Sequence, residues 1–238
     1  MGAAPQIPQD RLMVALDVPD VAAAEALISK IGDAAGVYKI GLELLFSGGF
    51  ALVERLAGDG TKIFVDAKLL DIGATVERAT AAIARSGAAF LTVHAIDRKT
   101  LDAAVRGKGK SELQLLGVTV LTNLDHTDLQ EQGIDAPPRS VVQQRADMAL
   151  AAGFDGVVAS GLEAAALRER LREPFKIVTP GIRPAGASAD DQSRIVTPTR
   201  AIEAGADYLV VGRPITRAED PRAAAEAICA EIAEALGA

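Results

Sequence analysis

Short apolar runs punctuate the chain from end to end, and each is followed by a longer stretch in which apolar residues return every three or four positions. The runs are LMVALD (12–17), VYKIGL (37–42), KIFVDAK (62–68), AFLTVH (89–94), LLGVTVLT (115–122), DGVVAS (155–160), FKIVTP (175–180) and YLVVG (208–212). Their length and richness in Val, Ile and Leu predict strands. Between them lie DVAAAEALISKI, GATVERATAAIARSGA and SVVQQRADMALAAG, whose helical spacing and frequent terminal glycine predict helices. Eight repeats of strand then helix predict an α/β protein with its parallel sheet closed as a (β/α)8 TIM barrel, one domain over residues 1–238. An open doubly wound sheet is the structural alternative. It is disfavoured by the first strand–helix junction, VALDVPDV, which lacks the glycine-rich fingerprint of dinucleotide sites.

Composition narrows the partners. Hydrophobic residues make up 49% of the 238, enough for a large core, while the net charge of −7 and 3% aromatic content supply neither a basic footprint nor stacking platforms. No nucleic-acid partner is expected. No run approaches the ~18 apolar residues of a membrane span, and MGAAPQIPQDR has no apolar signal-peptide core and no Ser or Thr at the myristoylation position, which is Gln6. No membrane association is expected. The single cysteine, Cys229, fits a reducing, cytoplasmic setting. Its place in AAAEAICAEIAEAL marks it as an apolar position on a terminal helix rather than a nucleophile.

In a barrel of this kind chemistry gathers at the C-terminal strand ends. Asp17 ends the first run, Lys39 lies late in the second, Asp66 and Lys68 end the third, and Thr122 ends the fifth. Side chains alternate along a strand, so Asp66 and Lys68 share a side, and Asp71 falls in the turn beyond. A structural Asp66–Lys68 ion pair with Asp71 capping the next helix is the plain reading. Four charges from three strand ends at one mouth favour a site, because burying them costs stability.

A second region, VTPGIRPAGASADDQSR with YLVVGRPIT, fits the phosphate site common after strands seven and eight of such barrels, with Gly212 allowing close backbone approach and Arg213 offering a fork of donors. The loop from Gly181 to Arg194 is long and rich in Gly, Ala and Ser, which suits a lid, with Arg183 and Gln192 placed to close over a ligand. His94 reads as a hydrogen-bonded structural histidine before an acid or base. His126, in NLDHTD, reads as solvated, and RGKGK (106–110) reads as a basic surface loop.

Over nearly its whole length the chain resembles the orotidine 5′-phosphate decarboxylase family. The resemblance is carried by VALDVPD, YKIGLELL, VDAKLLDIGATV, VTVLT, VTPGIRPAG, DQSRIVTPTRAIEAGADY and VVGRPIT. It implies a metal- and cofactor-independent decarboxylation of orotidine 5′-monophosphate to uridine 5′-monophosphate, the final step of UMP synthesis. Lys39, Asp66, Lys68 and Asp71 would then form an alternating charged array with Lys68 as proton donor, and Asp71 would come from the partner of a homodimer. The resemblance also implies Asp17 and Lys39 near the ribose, Thr75 with Asp71 at its 2′-hydroxyl, Thr122 near the base, and Arg183, Gln192, Gly212 and Arg213 around the phosphate. Ile72 and Pro180 join the substrate-binding set. One departure is VHAIDRKT, where many members follow VHA with a glycine pair.

Two other functions share these features. A metal-dependent 3-keto-gulonate 6-phosphate-type decarboxylase has the same Asp-x-Lys-x-x-Asp pattern, but usually carries a metal-binding glutamate on the second strand where this chain has Lys39. A non-catalytic nucleotide-phosphate-binding barrel would use the charges for recognition alone.

Overall fold

The computed structural model describes residues 4–171, 174–184 and 196–237. All eight predicted runs form strands: β1 (Leu12–Ala15), β2 (Val37–Gly41), β3 (Lys62–Leu69), β4 (Phe90–His94), β5 (Gln114–Val118), β6 (Gly156–Val158), β7 (Lys176–Thr179) and β8 (Tyr208–Val211). They pair in parallel and in chain order, and β8 closes onto β1. The predicted (β/α)8 barrel is the fold, and the open sheet is ruled out by that closure.

The alternation of side chains sorts the core into two shells. Leu12, Val14 and Leu16 face the helices, whereas Met13, Ala15, Val37, Phe64, Phe90, Leu116, Val178, Tyr208 and Val210 fill the barrel interior. The interior shell is pinned by edge-to-face contacts of Phe90 with Phe64 (centroids 6.1 Å apart) and Tyr208 (5.4 Å). Two residues further along β2 and β3, the same inward direction is taken by Lys39 and Asp66. The aromatic plug therefore forms a dry floor, and the charges begin immediately above it.

At the opposite, N-terminal end, buried carboxylates tie neighbouring strands together. Asp155 accepts from the Leu115 amide at 2.9 Å and from Lys108 Nζ at 2.7 Å. Asp207 accepts from the Ile177 amide at 2.7 Å and pairs with Arg168. These contacts lie far from the mouth and hold the barrel together.

Several boundaries differ from the sequence reading. RGKGK is not a surface loop: Arg106 to Lys108 form the last turn of the helix Arg98–Lys108, and Gly109 turns the chain out of it with φ of 55°. Strand β5 stops at Val118, and just past it the Val158 carbonyl accepts from both the Thr119 amide and hydroxyl. Thr122 thus sits in the turn past the strand. The helix after β3 is Gly73–Arg85, with Ile72 at its cap position and no side-chain cap bond, so Asp71 does not cap it. Cys229 is buried on the helix Pro221–Leu236, and burial pushes its thiol up to about 11, as a packing role requires.

Candidate active site

The C-terminal mouth opens into a cavity of about 600 Å³. Its floor is apolar, made by Ala15, Phe64, Val118, Val158 and Val210, and its charged wall comes from the first three strands. Lys39 Nζ lies 3.0 Å from Asp17 Oδ1 and 3.4 Å from Asp66 Oδ2, and Lys68 Nζ lies 2.8 Å from the same Asp66 oxygen. Asp17, Lys39, Asp66 and Lys68 thus form one chain of alternating sign. Gly41 leaves room beside it, since a Cβ there would come within 3.2 Å of both Asp17 Oδ1 and Lys39 Nζ and would crowd the pair.

Lys39 and Asp66 are 7% and 8% exposed, so their charges depend on each other. Burial works against the Asp66 carboxylate, but Lys39, Lys68 and the Thr92 hydroxyl outweigh it and hold the group below its ordinary range. Burial likewise works against the Lys39 ammonium, and Asp66 and Asp17 more than compensate, raising it.

Strand β3 is distorted where these charges sit. Its pairing with β4 runs Phe64 to Phe90 and Val65 to Leu91, then resumes at Leu69 to Val93. Asp66, Ala67 and Lys68 therefore oppose the single residue Thr92. Among the described residues Lys68 is the only non-glycine with positive φ, at 46°. Thr92 fills the gap: its Oγ1 accepts from the Lys68 amide at 2.9 Å and donates to Asp66 Oδ1 at 2.8 Å. Sequence reasoning passed over Thr92. The signal was its place two residues before His94 in FLTVH, on the inward face.

The phosphate end predicted from sequence lines the other side of the same cavity, with Pro180, Gly181, Arg183, Gly212 and Arg213. Arg183 is buried and donates from Nη1 to the Ile182 carbonyl at 2.9 Å. Thr122 lines the cavity from the turn after β5. Gln192, and most of the proposed lid, lie outside the described residues. Glu43, Thr216 and Arg217 also line the cavity and were not singled out as site residues; Glu43 lies within YKIGLELL, Thr216 ends VVGRPIT, and Arg217 is the residue after it.

Asp71, Ile72 and Thr75 do not line this cavity. Asp71 is exposed, and its Oδ1 accepts from the Ile72 amide at 2.6 Å. His94 does not line it either; burial, with Lys68 and Arg145 nearby, holds its imidazole below the usual range. His126 is exposed, with Nδ1 3.3 Å from the Ala136 carbonyl.

The segments that follow β2, β3 and β4 carry large exposed apolar side chains, Leu42 and Phe46 on short helical turns and Leu70, Ile72 and Ile96 beyond the next two strands, of which Phe46 is 87% and Ile72 73% exposed. Asp71 lies within this apolar rim. No helix among the described residues is long and apolar enough to cross a membrane.

Residues 10–228 match the model of the orotidine 5′-phosphate decarboxylase / HUMPS family. The chain is 55% identical to the orotidine 5′-phosphate decarboxylase of Rhodopseudomonas palustris (strain BisB5), covering 99% of this chain and 100% of that protein. It is also 55% identical to the enzyme of that name from Methylobacterium radiotolerans, covering 95% and 97% respectively. Among solved structures, orotidine 5′-phosphate decarboxylase from Lactobacillus acidophilus superposes with a TM-score of 0.83 at 39% identity, covering 93% of this chain and 98% of that one.

Proposed function

The chain belongs to the orotidine 5′-phosphate decarboxylase / HUMPS family, and from that premise we infer its reaction and the part each residue plays. It decarboxylates orotidine 5′-monophosphate to uridine 5′-monophosphate and CO2, the last step of UMP synthesis. The observation that carries the mechanism is the Lys39–Asp66–Lys68 chain, two cations on one buried carboxylate oxygen above a dry floor.

When the bond from C6 to the carboxylate breaks, its electron pair stays on C6 and CO2 departs. A fixed ammonium beside C6 favours that charge as it develops, and Lys68 Nζ then delivers a proton to C6, recovering its own from solvent. Asp66 aims Lys68 through the 2.8 Å contact, and Lys39 keeps Asp66 charged. Two unit charges at ~4 Å attract by about 4 kcal/mol at an effective dielectric near 20. One lysine is therefore insufficient where large accelerations demand up to ~23 kcal/mol. The rest is assigned to binding energy remote from C6, with Arg183, Gln192, Gly212 and Arg213 on the phosphate, Asp17 and Lys39 at the ribose, and Thr122 and Pro180 at the base.

The reaction is read as using no metal and no cofactor. Lys39 Nζ bridges Asp17 and Asp66, the two carboxylates a divalent cation would seek, and an ammonium held there opposes a second cation. The enzyme acts as a homodimer in the cytoplasm, with Asp71, Ile72 and Thr75 completing the partner's site. Support comes from the exposed apolar neighbours of Asp71, Leu70 and Ile72, with Leu42, Phe46 and Ile96 exposed on the segments after the flanking strands.

The test is loss of orotidine 5′-monophosphate absorbance after exhaustive chelation. Full turnover is expected, with Lys68→Ala inactive. Turnover that disappears on chelation and returns with Mg²⁺ would overturn the metal-free reading, and tight UMP binding without turnover would reduce the protein to a binding barrel.

A further inference from the structure

Thr92 stands where the sheet is interrupted, and its hydroxyl meets both sides of the interruption. The three-against-one bulge would leave the Lys68 amide without a partner on β4, in a backbone conformation that a lysine adopts only at a cost. Thr92 Oγ1 takes that amide at 2.9 Å. A hydroxyl has one proton, and with its oxygen accepting from Lys68 that proton is directed to Asp66 Oδ1, 2.8 Å away. The other Asp66 oxygen is left for Lys68 and Lys39. Thr92 is itself 1% exposed, so water does not replace it.

We propose that Thr92 is a positioning residue for the decarboxylation: its single hydroxyl fixes the backbone that carries Lys68 and the rotation of the carboxylate that aims Lys68, so both ends of the proton donor are set by one atom. The inference rests on the assignment of Lys68 as proton donor. It touches neither the phosphate nor the ribose groups, so its loss should fall on kcat and not on binding. Several charged groups face Asp66: Lys68 on its own strand, Lys39 of β2 with Asp17 behind it, and His94 of β4, which has Arg145 nearby. Replacing Thr92 removes none of these charged groups, so the titration of Asp66 in the variants reports the loss of the hydroxyl and of the placement it enforces.

The experiment compares Thr92→Val, nearly isosteric and suited to a strand, with the pair Thr92→Ser and Thr92→Ala, which differ only in the hydroxyl. Loss of a hydrogen bond to a charged group predicts a fall in kcat on the order of 10- to 100-fold for Val and Ala, with KM and UMP affinity within roughly threefold of wild type. Thr92→Ser should stand about 10-fold or more above Thr92→Ala. The acidic limb of kcat should move to higher pH in Val and Ala and move back in Ser, because Asp66 loses and regains a donor to its charged form. Melting curves establish which variants are folded at the assay temperature, and the Ser/Ala pair carries the contrast if Val is not. The proposal is overturned if Ser and Ala fall alike, if a folded Val variant keeps kcat within about twofold of wild type, or if the loss lies in KM alone. Lys68→Ala is measured alongside: turnover surviving in that variant sinks the proton-donor assignment, whereas an inactive Lys68→Ala with unaffected Thr92 variants sinks only the role of Thr92.

Discussion

Lys39 holds its charge in a place where burial alone would remove it, and Asp66 does the same with the opposite sign. Each is stabilised by the other, so the pair leaves a signature in stability as well as in catalysis. The Asp66 carboxyl is depressed from 3.8, which means its contribution is present above that value and is lost as pH falls through the lower folded value. The Lys39 ammonium is raised from 10.5, so its contribution is present below that value and is lost as pH rises through the higher folded one. Chemical unfolding of wild type and Asp66→Asn across pH 6 to about 2 is the measurement. Wild type should lose stability relative to the variant only below about 4, and a constant difference between them would show that the ion chain does not set the Asp66 charge. At this scale the sequence was legible where charge broke an apolar run, as at Lys39, Asp66 and Lys68. It was silent at Thr92, because a threonine in a strand is ordinary and only the bulge gives it work.

The pairing of the helices Gly73–Arg85 and Arg98–Lys108 shows the same limit one level up. The two glycines of RGKGK suggest a loop, yet Gly107 lies inside a helix and Gly109 ends it. Gly107 is there because the neighbouring helix leaves no room: a Cβ would meet the Glu77 carbonyl at 2.3 Å and Thr80 Cβ at 2.8 Å. Replacing a helix-interior glycine by alanine ordinarily adds up to ~1 kcal/mol. Here Gly107→Ala should cost about 1–3 kcal/mol instead, because the helices must part. Denaturant titration reads the sign directly, and a stabilised variant would mean the contact yields freely. The helix Gly73–Arg85 follows Asp71 and carries Thr75, so the same substitution should lower activity further than stability alone explains. Element type and order were legible in the alternation of apolar runs and helical spacing, since those patterns report burial. The tight helix contact was not, because it depends on which two helices meet.

The barrel as a whole places Asp71 outside its own cavity, in an apolar rim that a lone chain leaves in water. Closure of the sheet, β1 to β8, could be read from eight repeats, but the rim's purpose could not, because exposure is a property of the assembled mouth. If the rim is an isologous two-fold interface, each site combines Asp66 and Lys68 of one chain with Asp71 of the other. Lys68→Ala and Asp71→Ala homodimers should then both be inactive. Dissociating them, mixing them equally and allowing them to reassociate gives hybrids in about half of the dimers by random pairing. Each hybrid has one site with both lesions and one site with neither, so about a quarter of all sites should recover wild-type turnover. Were Asp71 to serve its own chain, every site in a hybrid would carry one lesion, and mixing would restore nothing. Native mass spectrometry counts the hybrids independently of activity. Hybrids present at the expected share without recovered turnover would show that each barrel works alone and that Asp71 and its apolar rim serve something other than the partner's site.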